Sequence, residues 1–422
     1  MKKSPFKIIT IGLVTLVVFA FCSNLIGKSE SDGFYKNDFS LLNVVKFWVT
    51  SEYVDKDIDR RNLEYGAIKG YLAELDDPYT RFLEPKSHAE MKVRMSGEFF
   101  GIGIHIGMKD KLLTVIAPIE GTPAYKAGLK SLDKIVSIDG DSTKGMSLNE
   151  AVTKIRGPKN SKVVLGILRE GTKEPFDVDI IRDKIPLKSV DKFEVLPEQL
   201  GELSVPEKIG YLRLATFESK RADSELADGL KELLNKGAKG VIVDLRYNGG
   251  GLLGNAISIS SMFLDEGDVV HTIGRNGEKN SESVRGRAIY PKGPLVVLVN
   301  QGSASASEIF AGAIKDNERG LIVGRDTFGK ASVQKIFPLP DDSAVLITIA
   351  RYYTPDMVDI TKKGIQVDID AKIPTDNIKM MEEPDYKYSI GTDYQLKIAV
   401  EEMLKLISES NKDTEFDKEL NG

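Results

Sequence analysis

Val241-Ile-Val-Asp-Leu-Arg-Tyr-Asn-Gly-Gly-Gly251 is the stretch on which the fold turns. An apolar strand runs into three glycines, and a helical pattern follows over residues 253–264. The same alternation continues on both sides. Strand-like runs at 209–215, 240–245, 295–300 and 321–323 are separated by helical patterns at 219–235, 253–264 and 306–316. Strands alternating with helices of this length predict an α/β layered domain with right-handed crossovers within residues 185–375.

Residues 96–184 have a different character. Short apolar runs at 102–106, 112–116, 134–138, 163–168 and 176–181 are divided by turn residues, with one helical stretch at 147–155, which predicts a small barrel-like β domain. Residues 34–95 read as a helical packing unit, with apolar residues at helical spacing in Phe39-Ser-Leu-Leu-Asn-Val-Val-Lys-Phe-Trp48. Asp76-Asp-Pro-Tyr-Thr80 breaks that pattern with turn residues. Residues 376–422 carry a helix near 393–406 and a charged end, with no functional signal. The expected class is a multidomain chain of α+β and α/β parts.

With 422 residues, 58 basic against 63 acidic groups and a net charge of −5, the chain suffices for two or three domains. It has no basic stripe of the kind that serves nucleic acid. Lys2, Lys3 and Lys7 precede an uncharged run over residues 8–27, long enough to cross a bilayer core and anchor the chain with its amino end in the cytoplasm. The rival is a cleaved signal peptide, because the strongly apolar part ends at Cys22, followed by Ser23 and Asn24. Both readings place the bulk of the protein outside the bacterial cytoplasmic membrane. Cys22 is the single cysteine, so the folded part holds neither a disulfide nor a thiol nucleophile.

Two strand ends carry the chemistry. The glycines at 249–251 can present unpaired backbone N–H groups, as an oxyanion hole requires, although an ordinary tight turn reads equally well. The second end is Asn300-Gln-Gly-Ser-Ala-Ser-Ala-Ser-Glu308, where small residues open a helix and Ser305 would stand beside the Ala306 N–H. For any one of Ser303, Ser305 and Ser307 a helix cap is the bland alternative. A serine hydroxyl needs a base, and a desolvated lysine amine serves as one. Lys330, in Thr327-Phe-Gly-Lys-Ala-Ser-Val-Gln334, is the candidate. Only His88, His105 and His271 compete with it, each alone and without metal-ligand or triad-like spacing, so packed or solvated histidines are expected. Gln334 would reach Lys330 only on a helical turn, where positions four apart lie ~6 Å from each other, against ~13 Å along a strand. Gly101-Ile-Gly-Ile-His-Ile-Gly107 does not match a nucleotide loop in spacing or context, and no cofactor is expected.

Gly97-Glu-Phe-Phe-Gly-Ile-Gly-Ile104, Gly121-Thr-Pro-Ala-Tyr-Lys-Ala-Gly-Leu129 and Asp133-Lys-Ile-Val-Ser-Ile-Asp-Gly140 together resemble a PDZ domain. That resemblance implies a loop of Phe100, Gly101, Ile102 and Gly103 that binds a peptide carboxylate, the peptide adding as a strand. With this insert, the segments around Ser305 and Lys330 resemble the carboxyl-terminal processing (tail-specific) proteases over most of residues 40–405. The resemblance implies a crotonase-like core and a Ser305–Lys330 dyad with Gln334. It further implies an oxyanion hole of Ala306 with Gly249 or Gly250 and substrates with apolar carboxyl-terminal tails; the sequence does not decide whether an adaptor protein is a further partner. The chain departs from the family's usual pattern at Ala331, where glycine is common, at Gly249, where proline is common, and at Lys130-Ser-Leu-Asp133, which lacks Pro-Gly. Ala331 would matter only where a positive φ is needed. The second reading is a non-catalytic binding protein on the same scaffold, as in that family's retinoid-binding relatives, and the third is a PDZ-type scaffold for peptide tails.

Overall fold

The five residues Gly240–Asp244 are all buried, because successive side chains of one strand enter different cores. Val241 and Val243 pack with Leu226, Leu230 and Phe310, whereas Ile242 packs with Leu396, Val400 and Met403. A strand covered on both faces reads as a continuous apolar run, which is how the sequence presents it. The structure is a computed structural model and describes residues 39–109, 112–119, 121–375, 377–378 and 389–421. The expected anchor or signal segment at 1–27 lies outside the described residues, and no helix among those described is long and apolar enough to cross a membrane.

The central sheet runs β1 (Val190–Val195), β2 (Ile209–Leu214), β3 (Gly240–Asp244), β4 (Leu295–Val299), β5 (Leu321–Gly324) and β6 (Ile369–Asp370) in that spatial order. β1 is antiparallel to β2, and every later pair is parallel. Helices α1 (Ala222–Asn235), α2 (Leu253–Ser260) and α3 (Ala306–Asp316) connect successive parallel strands and fill one core. A sheet that grows in one direction places its crossovers on one face, so the other face needs a separate cover. That cover is α4 (Tyr394–Asn421), whose Leu396, Ala399, Val400, Met403 and Ile407 are buried on it. The carboxyl-terminal segment is therefore part of the core.

Its first turn is tied to the functional strand. Arg246, just past β3, donates to Asp244 Oδ2 at 2.7 Å and to both Asp393 oxygens at 2.9 and 2.7 Å. All three side chains are buried or nearly so, and Tyr211 Oη donates to Asp244 Oδ2 at 2.8 Å. A guanidinium that is bidentate to one carboxylate and bonded to a second is fixed in direction as well as neutralised.

A second sheet, wholly antiparallel, joins Arg81–Leu83, Ser332–Pro338, Ala344–Tyr353, Asp268–Gly274 and Lys279–Ser283. The sequence reading did not separate it from the helical and loop segments around it. Lys279–Ser283 carries no apolar residue, so alternation is invisible there, and Arg81–Leu83 is only three residues long. The chain divides into two compact units, Met1–Ile68 and Lys69–Gly422. The helical reading of residues 34–95 corresponds to Ser40–Glu52, none of whose residues is buried, and to Arg60–Ala73 and Pro85–Ser96, in which Tyr65, Leu72 and His88 are buried.

The β domain forms as an antiparallel sheet of Ile104–Lys109, Leu112–Pro118, Lys134–Ile138, Lys162–Leu168 and Phe176–Ile181 around a core that includes Val115, Ile135 and Leu165. The helix Leu148–Ile155 begins at a reciprocal capping box, with Ser147 N–H donating to Glu150 Oε2 and Glu150 N–H to Ser147 Oγ. Glu98–Gly101 pairs with Asp183–Pro186, so the domain leaves and returns through one two-stranded ribbon. The turn that lacks Pro-Gly sets Leu132 at φ 71°, the left-handed region that glycine occupies without cost. Leu132 is 56% exposed, so its side chain returns little packing for that strain. Leu132→Gly is expected to stabilise the protein by about 1 kcal/mol, read from urea unfolding of the two proteins side by side.

Candidate active site

Parallel register brings the two loaded strand ends together. Asp244 on β3 lies opposite Leu298 on β4, so the chain leaves both strands at the same edge. Asn300 Oδ1 accepts from the Tyr247 and Gly302 N–H groups at 2.9 and 3.0 Å, and Asn248 O accepts from the Ala304 N–H at 3.0 Å. These bonds interlock residues 245–251 with residues 300–305. Asn248, fully buried, holds the glycine turn from within: its Nδ2 donates to Leu214 O and its Oδ1 accepts from Gly250 N–H.

The three serines separate by what their hydroxyls do. Ser303 Oγ donates to Leu245 O and Ser307 Oγ to Asn248 O, both at 2.8 Å and both fully buried. Their role is to bind the two loops. Ser305 is only partly buried and stands at φ 56°, ψ −116°, a conformation that non-glycine residues rarely take. Such strain persists only where surrounding bonds over-determine it, and here one side chain supplies many of them.

That side chain is Glu308, which is fully buried. Its Oε2 accepts from the Ser305 N–H at 2.8 Å and the Lys330 N–H at 2.9 Å, with Tyr352 Oη 3.3 Å away. Its Oε1 accepts from Thr327 Oγ1 and the Gly329 N–H, each at 2.6 Å. An ionised carboxylate offers about four lone-pair sites, so it is saturated by donors alone. Tyr352 Oη also contacts Ser305 O at 3.2 Å and donates to Lys330 O. The N–H groups of Ser305 and Lys330 are thus held by one carboxylate, and Lys330 O by Tyr352. Sequence reasoning quoted Glu308 without giving it a role; the S-x-x-E spacing of Ser305 to Glu308 was the available signal, since it places a carboxylate over the first turn of a helix.

The amine of Lys330 is half-buried, and burial lowers its pKa below the ordinary lysine value. Arg81 pushes in the same direction, while Glu308, Asp77 and Glu218 oppose it. No hydrogen bond joins Lys330 Nζ to Ser305 among the described residues; the amine lies over the ring of Tyr79.

Gln334 does not meet the condition set for it. Strand Ser332–Pro338 replaces the expected helical turn, and Gln334 Nε2 donates to Ser332 Oγ at 2.7 Å and Thr348 Oγ1 at 3.4 Å. Alternating strand residues and a tie to the neighbouring strand outcompete a turn at this position. Of the two glycine donors, Gly250 is committed to Asn248 Oδ1, which leaves the Gly249 N–H without an acceptor among the described residues. Gly250 has φ 95°, and an added Cβ would lie 2.5 Å from Ala304 O and 2.7 Å from Ala306 N, so the glycine turn packs directly on the helix start. Neither Ala331 nor Gly249 has a positive φ, so both departures from the usual pattern are conformationally neutral.

In the β domain, Phe100 is exposed, while Gly101, Ile102 and Gly103 are buried. Gly103 has φ 77°, and a Cβ there would fall 2.4 Å from Thr122 Cβ. Close approach of the protein's own chain, where a ligand was expected, accounts for that glycine. His88 and His271 are packed, with His88 Nδ1 2.8 Å from Asp342 O and His271 between Ser281 and Pro355 O, and His105 is exposed, as expected for histidines outside the chemistry.

Two substitutions test this construction by stability alone. Glu308→Gln sets an amide NH2 among N–H and O–H donors and is expected to cost about 2–4 kcal/mol in chemical denaturation. Ser305→Gly relieves the φ 56° backbone, and should exceed Ser305→Ala in stability by about 1 kcal/mol or more in the same measurement.

Comparison with known proteins identifies the family of the chain. Residues 208–371 match Peptidase family S41, and residues 90–168 match the PDZ domain. The chain is 40% identical over 355 residues to a carboxyl-terminal-processing protease of Synechocystis sp., covering 83% of this chain and 81% of that one. It is 36% identical over 415 residues to the carboxy-terminal processing protease CtpA of Bacillus subtilis, covering 96% and 85%. Among solved structures it is similar to the photosystem II D1 C-terminal processing protease, at 36% identity and a TM-score of 0.45, over 80% of this chain and 87% of that one. The chain belongs to the carboxyl-terminal-processing proteases of peptidase family S41 and is a serine peptidase with a PDZ domain.

Proposed function

We propose that the protein cleaves exported proteins near their carboxyl-terminal tails with a Ser305–Lys330 dyad, after its PDZ domain has captured the tail. The observation that carries the dyad is the shared hold of Glu308 on the Ser305 and Lys330 backbones. It is strengthened by the commitment of Ser303 and Ser307 to structural bonds. Neutral Lys330 takes the proton of Ser305 Oγ as that oxygen attacks the scissile carbonyl, and returns it to the leaving amine. An acyl-enzyme forms and is then hydrolysed by water. The Ala306 and Gly249 N–H groups hold the oxyanion, one at a helix start and one on the glycine turn packed against it. Gln334 is assigned no direct hold on the amine, only the strand position beside it.

Tail capture is supported by an open edge. Ile104–Lys109 ends the PDZ sheet and pairs on one side only, with Leu112–Pro118, among the described residues. A peptide can add there as a strand, its carboxylate at the loop of Phe100, Gly101, Ile102 and Gly103. Lys2, Lys3 and Lys7 before the uncharged run at 8–27 support export, with the peptidase outside the cytoplasmic membrane. The non-catalytic reading loses support because both dyad residues are present and are positioned by one carboxylate.

Ser305→Ala and Lys330→Ala are each expected to lower tail cleavage by at least ~1,000-fold while leaving tail affinity of the PDZ domain unchanged. Full turnover in either variant, or failure of a serine-directed acylating probe to label Ser305, would sink the dyad. Because the base works deprotonated and burial lowers its pKa, activity should fall as pH drops through that pKa and hold above it. The kcat/KM profile against pH measures this limb, and it should lie below the ordinary lysine range.

A further inference from the structure

Tyr79 belongs to Asp76-Asp-Pro-Tyr-Thr80, a turn far upstream of the dyad. Its ring centroid nevertheless lies 4.8 Å from Lys330 Nζ, within the reach at which an ammonium is drawn to an aromatic face. The turn is fixed to the site. Tyr79 N–H donates to Asp77 Oδ1 at 3.0 Å, and Thr80 Oγ1 donates to Asp77 Oδ2 at 2.7 Å while accepting from Thr348 N–H at 3.0 Å. Arg81–Leu83 then pairs with Ala344, Val345 and Leu346 of the strand that also carries Thr348, the partner of Gln334. The ring therefore stands on the same sheet as the segment that follows Lys330.

We propose that Tyr79 is a positioning residue for Lys330: its ring seats the ammonium, and the amine must leave that seat, deprotonated, to reach Ser305. This rests on the dyad reading above. The charged groups facing the amine are Arg81 from the first strand of the antiparallel sheet, Asp77 from the turn, Glu308 from α3 and Glu218 from the loop after β2. The three carboxylates and the ring face favour the ammonium, while burial and Arg81 disfavour it. Tyr79 stays a neutral ring, since burial and then the Glu308 and Asp77 carboxylates raise its own pKa. The seat separates charge holding from catalysis: an amine parked on the ring makes no bond to Ser305, and substrate binding has to compensate for its release.

The test compares kcat/KM against pH for the full chain and its Tyr79→Trp, Tyr79→Phe and Tyr79→Leu variants, with thermal unfolding recorded for each. Leucine keeps water away while removing the quadrupole, so the acid-limb midpoint should fall by about half to one pH unit. Phenylalanine should stay close to the parent, and tryptophan, with the strongest ring quadrupole, should lie above it. An unmoved midpoint in a folded Tyr79→Leu protein overturns the seat, as does a Tyr79→Phe midpoint shifted as far as that of Tyr79→Leu. A Tyr79→Trp midpoint no higher than the parent's overturns it even where the leucine variant does not fold. Lys330→Ala runs beside them: turnover in that variant removes dyad and seat together, whereas an inert Lys330→Ala with unmoved Tyr79 variants removes the seat alone.

Discussion

A carboxylate taken out of water has to be solvated by the protein or neutralised, and the architecture around Glu308 is organised by that requirement. The donors it collects come from two separated stretches, the start of α3 and residues 327–330, and Tyr352 Oη of the long antiparallel strand lies 3.3 Å away. None of these donors is a cation. Ser305 is strained and residues 327–330 are irregular where they meet the carboxylate. The backbone of Ser305 can remain at φ 56° because its N–H is held by the Glu308 carboxylate and its carbonyl accepts from the Glu308 and Ile309 N–H groups at 2.8 and 2.9 Å.

The sheet supplies the other half of the constraint. Parallel strands in register end at one edge, so β3 and β4 deliver their loops to the same place without any contribution from the catalytic residues. What the loops then need is a means of satisfying their polar groups while carrying no regular structure. Asn248, Asn300, Ser303 and Ser307 do this with side chains short enough to bond neighbouring backbone. The polar, small-residue composition of both stretches is thus mostly structural. Of the three serines, Ser305 is the one whose hydroxyl does not tie the two loops together, which supports the proposed assignment of the nucleophile. On the far side, Arg246 carries the constraint to α4, so a helix at the carboxyl end steadies the strand from which the glycine turn departs.

Much of this was legible in the sequence, for physical reasons that differ by element. The β3 and β4 runs are apolar on both faces and bounded by glycine or small polar residues, so their type and their role as strand ends could be read directly. The nearness of Ser305 to the glycine turn followed from the same alternation. Glu308 was readable in principle, because its relation to Ser305 is local. Gln334 was misplaced because a four-residue spacing is compatible with both helix and strand, and the choice was made by pairing with Thr348, which is not local. Tyr79 was out of reach altogether: its turn residues announce a break in a helix, and nothing in them reports that the antiparallel sheet returns the turn to Lys330.

In the proposed dyad, a base lysine beside a buried glutamate poses an apparent contradiction, since an ion pair between them would hold the amine protonated. The geometry avoids it by spending the carboxylate on the lysine's backbone. With Lys330 N–H, Gly329 N–H, Ser305 N–H and Thr327 Oγ1 on its two oxygens, Glu308 has little acceptor capacity left for Nζ, and its charge reaches the amine only through space. Burial and Arg81 then outweigh the surrounding carboxylates, and the pKa moves down. One group can thereby set the distance between base and nucleophile without setting the protonation state of the base. In the proposed mechanism the aromatic face of Tyr79, 4.8 Å from the amine, would give a weaker and reversible hold on the charged form than an ion pair, as a base released in every turnover requires.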